Sequence, residues 1–130
     1  MTEKRPHPHF NDRGTLDWKT SFKDAFAAAQ PGKKRIFIEF GRELCGQCRS
    51  LVQAVVPRPD IAPLLQEHFI ALASDCDAPE PEVEELAQHI PDAMMLPFVI
   101  LADHKGQFLE GWSGSVPPDA LKKMLERALA

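Results

Sequence analysis

Two cysteines, Cys45 and Cys48, stand two residues apart after an apolar run and a short polar break. The run, residues 36–40, has the length and composition of a buried strand, and the break begins with Gly41. A helix could begin at the cysteines, and the amide dipoles at a helix start stabilise an anion. The first cysteine can therefore be a thiolate near neutral pH, and the second can form a disulfide with it. This arrangement is typical of a dithiol redox site.

The alternative role for the pair is that of two buried structural thiols. The intervening Gly46 and Gln47 and the charged residues on both sides make burial of both thiols unfavourable, so redox chemistry is the favoured role. Arg49, near the expected helix start, either adds positive potential that favours a thiolate or is simply solvated.

The third cysteine, Cys76, follows a predicted strand in the acidic loop 75–77. It could be a small buried hydrophobe, a regulatory thiol or a third metal ligand beside the pair, and the plain structural role is favoured. Three cysteines are too few for a disulfide-stapled secreted scaffold or for a zinc site built from cysteines alone. We therefore predict no metal site.

Size and composition predict one soluble domain with a real core, since the chain has 130 residues, 44% of them hydrophobic and 26% charged. The net charge of −4 argues against nucleic acid as a general electrostatic partner. No apolar run approaches the ~20 residues of a membrane span. The N-terminal residues contain no apolar signal segment, so we expect the cytoplasm, or the periplasm if a leader was removed.

Hydrophobic periodicity predicts helices alternating with strands. Apolar residues at helical spacing predict an amphipathic helix over residues 16–29, with Trp18 in the core. Further helices are expected after the cysteines and over residues 60–67, 81–89 and 118–129, and strands over residues 36–40, 69–73, 97–101 and 107–112. Residues 1–16 are expected to be a flexible tail, in which a solvated role for His7 and His9 is favoured over metal binding.

The order of these elements predicts an α/β fold. Alternation through the middle of the chain implies parallel strands with right-handed crossovers. The turn 103–106 adds an antiparallel hairpin. A central mixed sheet with helices on both faces follows, formed by residues 17–130.

With these elements in this order, the sequence resembles the thioredoxin superfamily over roughly residues 17–129. The matching pieces are Phe37-Ile38-Glu39-Phe40 before Cys45-Gly46-Gln47-Cys48, then Leu96-Pro97-Phe98-Val99-Ile100-Leu101, Lys105-Gly106 and Gly114. The leading helix with Trp18 looks more like the thioredoxin-like domains of disulfide-reductant relay proteins than like thioredoxin itself. The resemblance implies a three-layer sandwich.

The resemblance also implies roles for three ionisable side chains. Cys45 matches the nucleophilic cysteine and Cys48 the resolving cysteine of a redox disulfide. Glu39 falls where the family has a buried carboxylate, a possible proton acceptor for the second cysteine. The alternative is that Glu39 faces solvent. Ala73 lies about where the family often has a lysine paired with the carboxylate, so Glu39 is expected to lack that partner.

Substrate binding is implied beside the cysteine pair. Pro97 matches the family's cis-proline, and Leu96 before it would offer backbone hydrogen bonds to an extended peptide. Gly46 and Gln47 would complete this surface. Leu44 replaces a tryptophan and Gln47 a proline that are common in the family, which affects client range and redox potential.

These expectations together predict a monomeric thiol–disulfide oxidoreductase that reduces, or relays electrons to, a disulfide-containing client protein. No bound cofactor is needed, because the cysteine pair carries the two electrons, but an upstream thiol reductant must resupply them. The alternative is a thioredoxin-fold binding or chaperone module that holds a client or a soft metal such as Cu(I) without redox turnover.

Overall fold

A five-stranded mixed sheet forms the centre of the computed structural model, which describes residues 4–130. In chain order the strands are β1 (Trp18–Lys19), β2 (Arg35–Gly41), β3 (Phe69–Asp75), β4 (Phe98–Ala102) and β5 (Phe108–Ser113). Their order in the sheet is β1-β3-β2-β4-β5. Strand β3 is parallel to β1 and β2, whereas β4 is antiparallel to β2 and β5. The predicted mixed sheet with its hairpin is confirmed.

Helices cover both faces of this sheet, as the predicted three-layer α/β fold requires. They are α1 (Phe22–Ala29), α2 (Gly46–Ser50), which continues as a π-helical turn (Leu51–Val55), α3 (Ala62–His68), α4 (Pro81–Ala87) and α5 (Pro118–Leu129). One apolar cluster joins the sheet to α2, α3 and α5, and the other joins it to α1 and α4. Among residues 4–130 no helix has the length and apolar character that crossing a membrane would require.

The helix predicted over residues 16–29 is wrong at its N-terminal end. Trp18 and Lys19 form the edge strand β1, in register with Ala71 and Leu72 of β3. The helix begins only at Phe22, because the Ser21 side chain accepts a hydrogen bond from the Asp24 amide and caps it. Trp18 is fully buried, so its predicted core position is confirmed.

The expectation of a flexible tail is wrong for residues 4–16, while residues 1–3 lie outside the described part of the chain. His7, Phe10 and Asp12 are buried against the domain. The Asp12 carboxylate accepts hydrogen bonds from the Trp18 indole N–H, at 2.9 Å, and from the Leu16 amide, at 3.0 Å. A buried carboxylate needs such partners, and these fix the segment in place.

The sheet brings three chain segments to one edge. Because β2 and β3 are parallel, their carboxyl ends at Gly41 and Asp75 lie side by side. Because β4 runs the other way, its start at Phe98 lies beside Phe40 at the end of β2. The cysteine pair, the loop of Cys76 and the segment before β4 therefore share this edge.

Candidate active site

The cysteine pair lies at the junction of β2 and α2. Cys45 is the N-cap residue of α2, and its sulfur accepts a hydrogen bond from the Cys48 amide at 3.2 Å. The two cysteines are disulfide-bonded, with their Cα atoms 5.3 Å apart. Cys48 is fully buried, whereas Cys45 is partly exposed. Of the two cysteines in the pair, Cys45 is therefore the one that a partner in solvent can reach.

Glu39 lies behind the pair in the central strand β2, between Ala73 of β3 and Val99 of β4. It is only 2% exposed, so the alternative in which it faces solvent is wrong. A methyl group on Gly41 would collide with Glu39 Oε2 and lie 2.7 Å from Cys48 Sγ. Because Gly41 has no side chain, the carboxylate and the sulfur can both lie beside this position.

The partner of Glu39 is His7, which the sequence predicted to be solvated. His7 Nε2 lies 2.7 Å from Glu39 Oε1, and both side chains are almost completely buried. Ala73 pairs with Glu39 in the register of β2 and β3 and, as expected, offers the carboxylate no lysine. The partner of the carboxylate comes instead from the N-terminal segment, 32 residues earlier in the chain. No local spacing in the sequence signals this pair.

Burial is the main influence on the ionisation of Glu39. It raises the pKa of the Glu39 carboxyl above its ordinary value, and the hydrogen bond from His7 offsets part of that rise. A raised pKa makes this carboxylate a stronger base than that of an exposed glutamate, which is the direction that a proton acceptor for a buried thiol needs.

The segment before β4 forms the other side of the site. The Leu96–Pro97 peptide bond is cis. Pro97 is buried, and its carbonyl accepts a hydrogen bond from the Gly114 amide at 3.0 Å. Leu96 is half-buried and, like Cys45, packs on the apolar cluster that contains Cys48.

Several apolar side chains at this edge of the sheet are exposed. Leu44 is 90% exposed, Met94 87% and Met95 57%. The Ser113 hydroxyl holds the backbone beside them, accepting from the amides of Met94 and Met95. Gly46 is exposed and Gln47 half-buried next to the nucleophile position. Apolar area beside a partly exposed sulfur suits contact with a peptide chain.

Cys76 lies on the same edge but apart from the disulfide. Its amide donates to the Gly41 carbonyl at 2.8 Å, and Arg42 Nε donates to its sulfur at 3.2 Å. Within the described residues, the grouping of possible metal ligands that the structure shows is Asp75, Cys76 and Asp77. Cys45 and Cys48 do not belong to that grouping, so Cys76 is not brought to the pair as a third ligand.

Comparison with known proteins places these features in a family. The model of a family described as thioredoxin-like matches residues 17–103. That match covers two thirds of the chain and includes Glu39 and both cysteines of the pair, but it begins after His7. Sequence comparison with curated proteins gives no significant match.

Solved structures agree with the fold. A thioredoxin from Thermus thermophilus is similar with a TM-score of 0.66 and 23% identity, covering 87% of this chain and 86% of its own. A disulphide isomerase from Xylella fastidiosa Temecula1 gives 0.61 and 19% identity, covering 83% of this chain and 88% of its own. A thioredoxin-fold protein from Helicobacter pylori gives 0.60 and 22%, covering 75% and 70%. At these identities the likeness is one of fold.

Proposed function

Because the chain belongs to the thioredoxin-like family, we propose that it is a thiol–disulfide oxidoreductase that reduces, or relays electrons to, protein disulfides. One observation carries the proposal: a partly exposed Cys45 is disulfide-bonded to a fully buried Cys48 at the start of a helix. An exposed nucleophile with a protected resolving thiol is the arrangement that two-step exchange needs.

In the first step the Cys45 thiolate attacks one sulfur of a client disulfide. A bond forms between Cys45 and that sulfur, the client's disulfide bond breaks, and the second client sulfur leaves as a thiolate with the electron pair. The Cys48 amide, which donates to the sulfur of Cys45, would stabilise the attacking thiolate. The product of this step is a mixed disulfide.

In the second step Cys48 resolves the mixed disulfide. Its S–H proton passes to Glu39, directly or through water, and the electron pair stays on sulfur. That thiolate attacks Cys45 Sγ, the mixed disulfide breaks, and the remaining client sulfur leaves as a thiolate that takes a proton from solvent. The client has gained two electrons, and the protein has become the Cys45–Cys48 disulfide.

Client recognition is assigned to the apolar edge around the pair. Leu96 and Pro97 would align an extended client segment beside Cys45, with Gly46 and Gln47 completing the surface. A disulfide-containing protein is therefore the proposed partner. An upstream thiol reductant restores the dithiol, because each turnover leaves the pair oxidised.

Catalysed reduction of insulin by dithiothreitol tests the proposal. The wild-type protein should accelerate the reaction, and Cys45→Ser should abolish the acceleration because the attacking sulfur is gone. Cys76→Ser is the matched control and should retain activity. No turnover by the wild type, combined with tight Cu(I) binding that needs Cys45 and Cys48, would instead support the binding or chaperone module.

A further inference from the structure

Glu39 lies within the residues that the thioredoxin-like family model matches, whereas its partner His7 lies ahead of them in the chain. We propose that His7 is a positioning residue for proton transfer: as a neutral imidazole it binds one oxygen of Glu39 and leaves the other to take the proton of Cys48. The inference rests on the proposed function of the site and assigns the N-terminal segment a part in it.

The tautomer of His7 is set by the backbone around it. The amides of His9, at 3.0 Å, and Phe10, at 3.2 Å, both donate to Nδ1. A nitrogen that accepts two N–H groups carries no proton, so the ring proton is on Nε2. Nε2 then donates to Glu39 Oε1, 2.7 Å away, and the contact is a hydrogen bond from a neutral ring.

Aromatic contacts fix the orientation of the ring. Phe10 stacks on His7 with ring centroids 5.2 Å apart, and Trp18 meets it edge-on at 4.8 Å. The ring is also almost completely buried. His7 is therefore unable to turn away from Glu39 without breaking the packing of the N-terminal segment.

The two oxygens of Glu39 consequently have different roles. Oε1 is occupied by the Nε2–H of His7. Oε2 lies against Gly41, on the side where Cys48 Sγ also approaches. A proton leaving Cys48 would thus meet an oxygen that accepts no hydrogen bond from residues 4–130, in an orientation that His7 maintains.

A cavity of about 240 Å³ is lined by Glu39 together with the exposed Pro8 and Ala78, so the carboxylate borders space that solvent can reach. Its polar walls include His7, His9, Ser74, Asp75 and Glu80. The Ser74 hydroxyl is buried and has no protein partner among residues 4–130, so its ordinary partner would be water in this space.

Four groups besides His7 face the Glu39 carboxyl from the elements packed against it. His9 favours its ionised form and Asp75 opposes it. Glu80 lines the same cavity but already accepts from the Phe22 amide, at 2.9 and 3.0 Å. Cys48 approaches from α2. His7 is the group whose removal changes the hydrogen bonding of the carboxylate itself.

Substitution of His7 by Phe tests the proposal, with the same change at the exposed His68, His68→Phe, as the matched control. His7→Phe keeps an aromatic ring between Phe10 and Trp18 but has no N–H for Glu39. The readout is the rate at which a mixed disulfide on Cys45 is resolved, measured as a function of pH. Without its donor the carboxylate is less stable as an anion, so the rise of the rate should move to higher pH. The rate near neutral pH should fall roughly tenfold or more, while His68→Phe changes it by less than about twofold.

An unchanged pH profile in a folded His7→Phe variant would overturn the proposal. Nitrogen-15 NMR of the reduced wild-type protein is a second test that needs neither the variant nor a client. It should find the Nε2–H tautomer of His7 near neutral pH, with Nδ1 unprotonated and Nε2 donating to Glu39. An imidazolium or an Nδ1–H ring would overturn the proposal. If the wild type reduces no disulfide, the proposed function fails while the NMR result still decides the role of His7.

Discussion

The Glu39 carboxylate and the Cys48 sulfur both border the space that a side chain at Gly41 would fill. Glu39 comes from the central strand and Cys48 from the first turn of α2, so the sheet and the helix must meet at this point. This relationship is the physical basis for assigning the proton of the resolving thiol to Glu39.

Gly41→Ala should destabilise the protein by about 1–3 kcal/mol, because the added methyl group would overlap with Glu39 and Cys48. Gly46→Ala, one residue after Cys45, is the matched control, since a methyl group there meets nothing within 4 Å. Unfolding of the reduced wild type and of both reduced variants in guanidinium gives the free energies of unfolding to be compared. Equal stabilities for the two variants would show that the space at Gly41 is not restrictive.

Glu39→Gln should slow resolution of the mixed disulfide near neutral pH, by roughly 100-fold if Glu39 is the general base. Glutamine keeps an oxygen that accepts from His7 but does not take up a proton. Glu43→Gln, an exposed change near the same site, is the control. Quenched-flow analysis of the mixed disulfide gives the rates, and an unchanged rate in Glu39→Gln would remove Glu39 from the mechanism.

The Glu39→Gln variant should become more stable than the wild type as the pH rises. Burial raises the pKa of Glu39 in the folded state above its unfolded value, so the folded state holds the proton more tightly. The stability of the wild type therefore falls as the pH rises from the unfolded pKa through the folded one, a loss that the Glu39→Gln variant does not suffer.

Unfolding free energies measured from about pH 4 to about pH 8 test this linkage. The two proteins should be similar at the acidic end, and Glu39→Gln should become progressively more stable than the wild type toward neutral pH. Glu43→Gln, which changes an exposed carboxyl, supplies the baseline. A difference that shrinks as the pH rises would mean that the ionised carboxylate stabilises the fold.

Cys48→Ser should trap a mixed disulfide with a client through Cys45, because the serine hydroxyl does not attack the bond. Mass spectrometry of the trapped peptide identifies the attached cysteine. Cys76→Ser in the same background should leave the yield unchanged. Trapping at Cys76 would reverse the assignment of the nucleophile.

The elements around the disulfide could be predicted because their signals are local. An apolar run followed by Gly41 and a cysteine pair predicted strand β2 and the helix after it, and the turn 103–106 predicted the β4–β5 hairpin. The position of Glu39 in an apolar strand was evident, and its burial follows from the two strands that flank β2.

The N-terminal segment could not be predicted, because tertiary contacts decide its conformation. Trp18 has helical spacing with later apolar residues, but its indole bonds to Asp12 and its backbone pairs with β3. His7 looks like part of a polar tail, yet it bonds to a side chain 32 residues away. Such a pair leaves no periodic pattern in a single sequence.

The redox equilibrium of the Cys45–Cys48 pair shows whether the two cysteines form a working dithiol couple. The protein is equilibrated with series of reduced and oxidised dithiothreitol and of glutathione, and its free thiols are then alkylated and counted. We expect one reversible two-electron transition that converts both cysteines together, while Cys76 stays a free thiol throughout. A pair that stays entirely reduced or entirely oxidised across both series would rule out thiol–disulfide exchange as the function of this site.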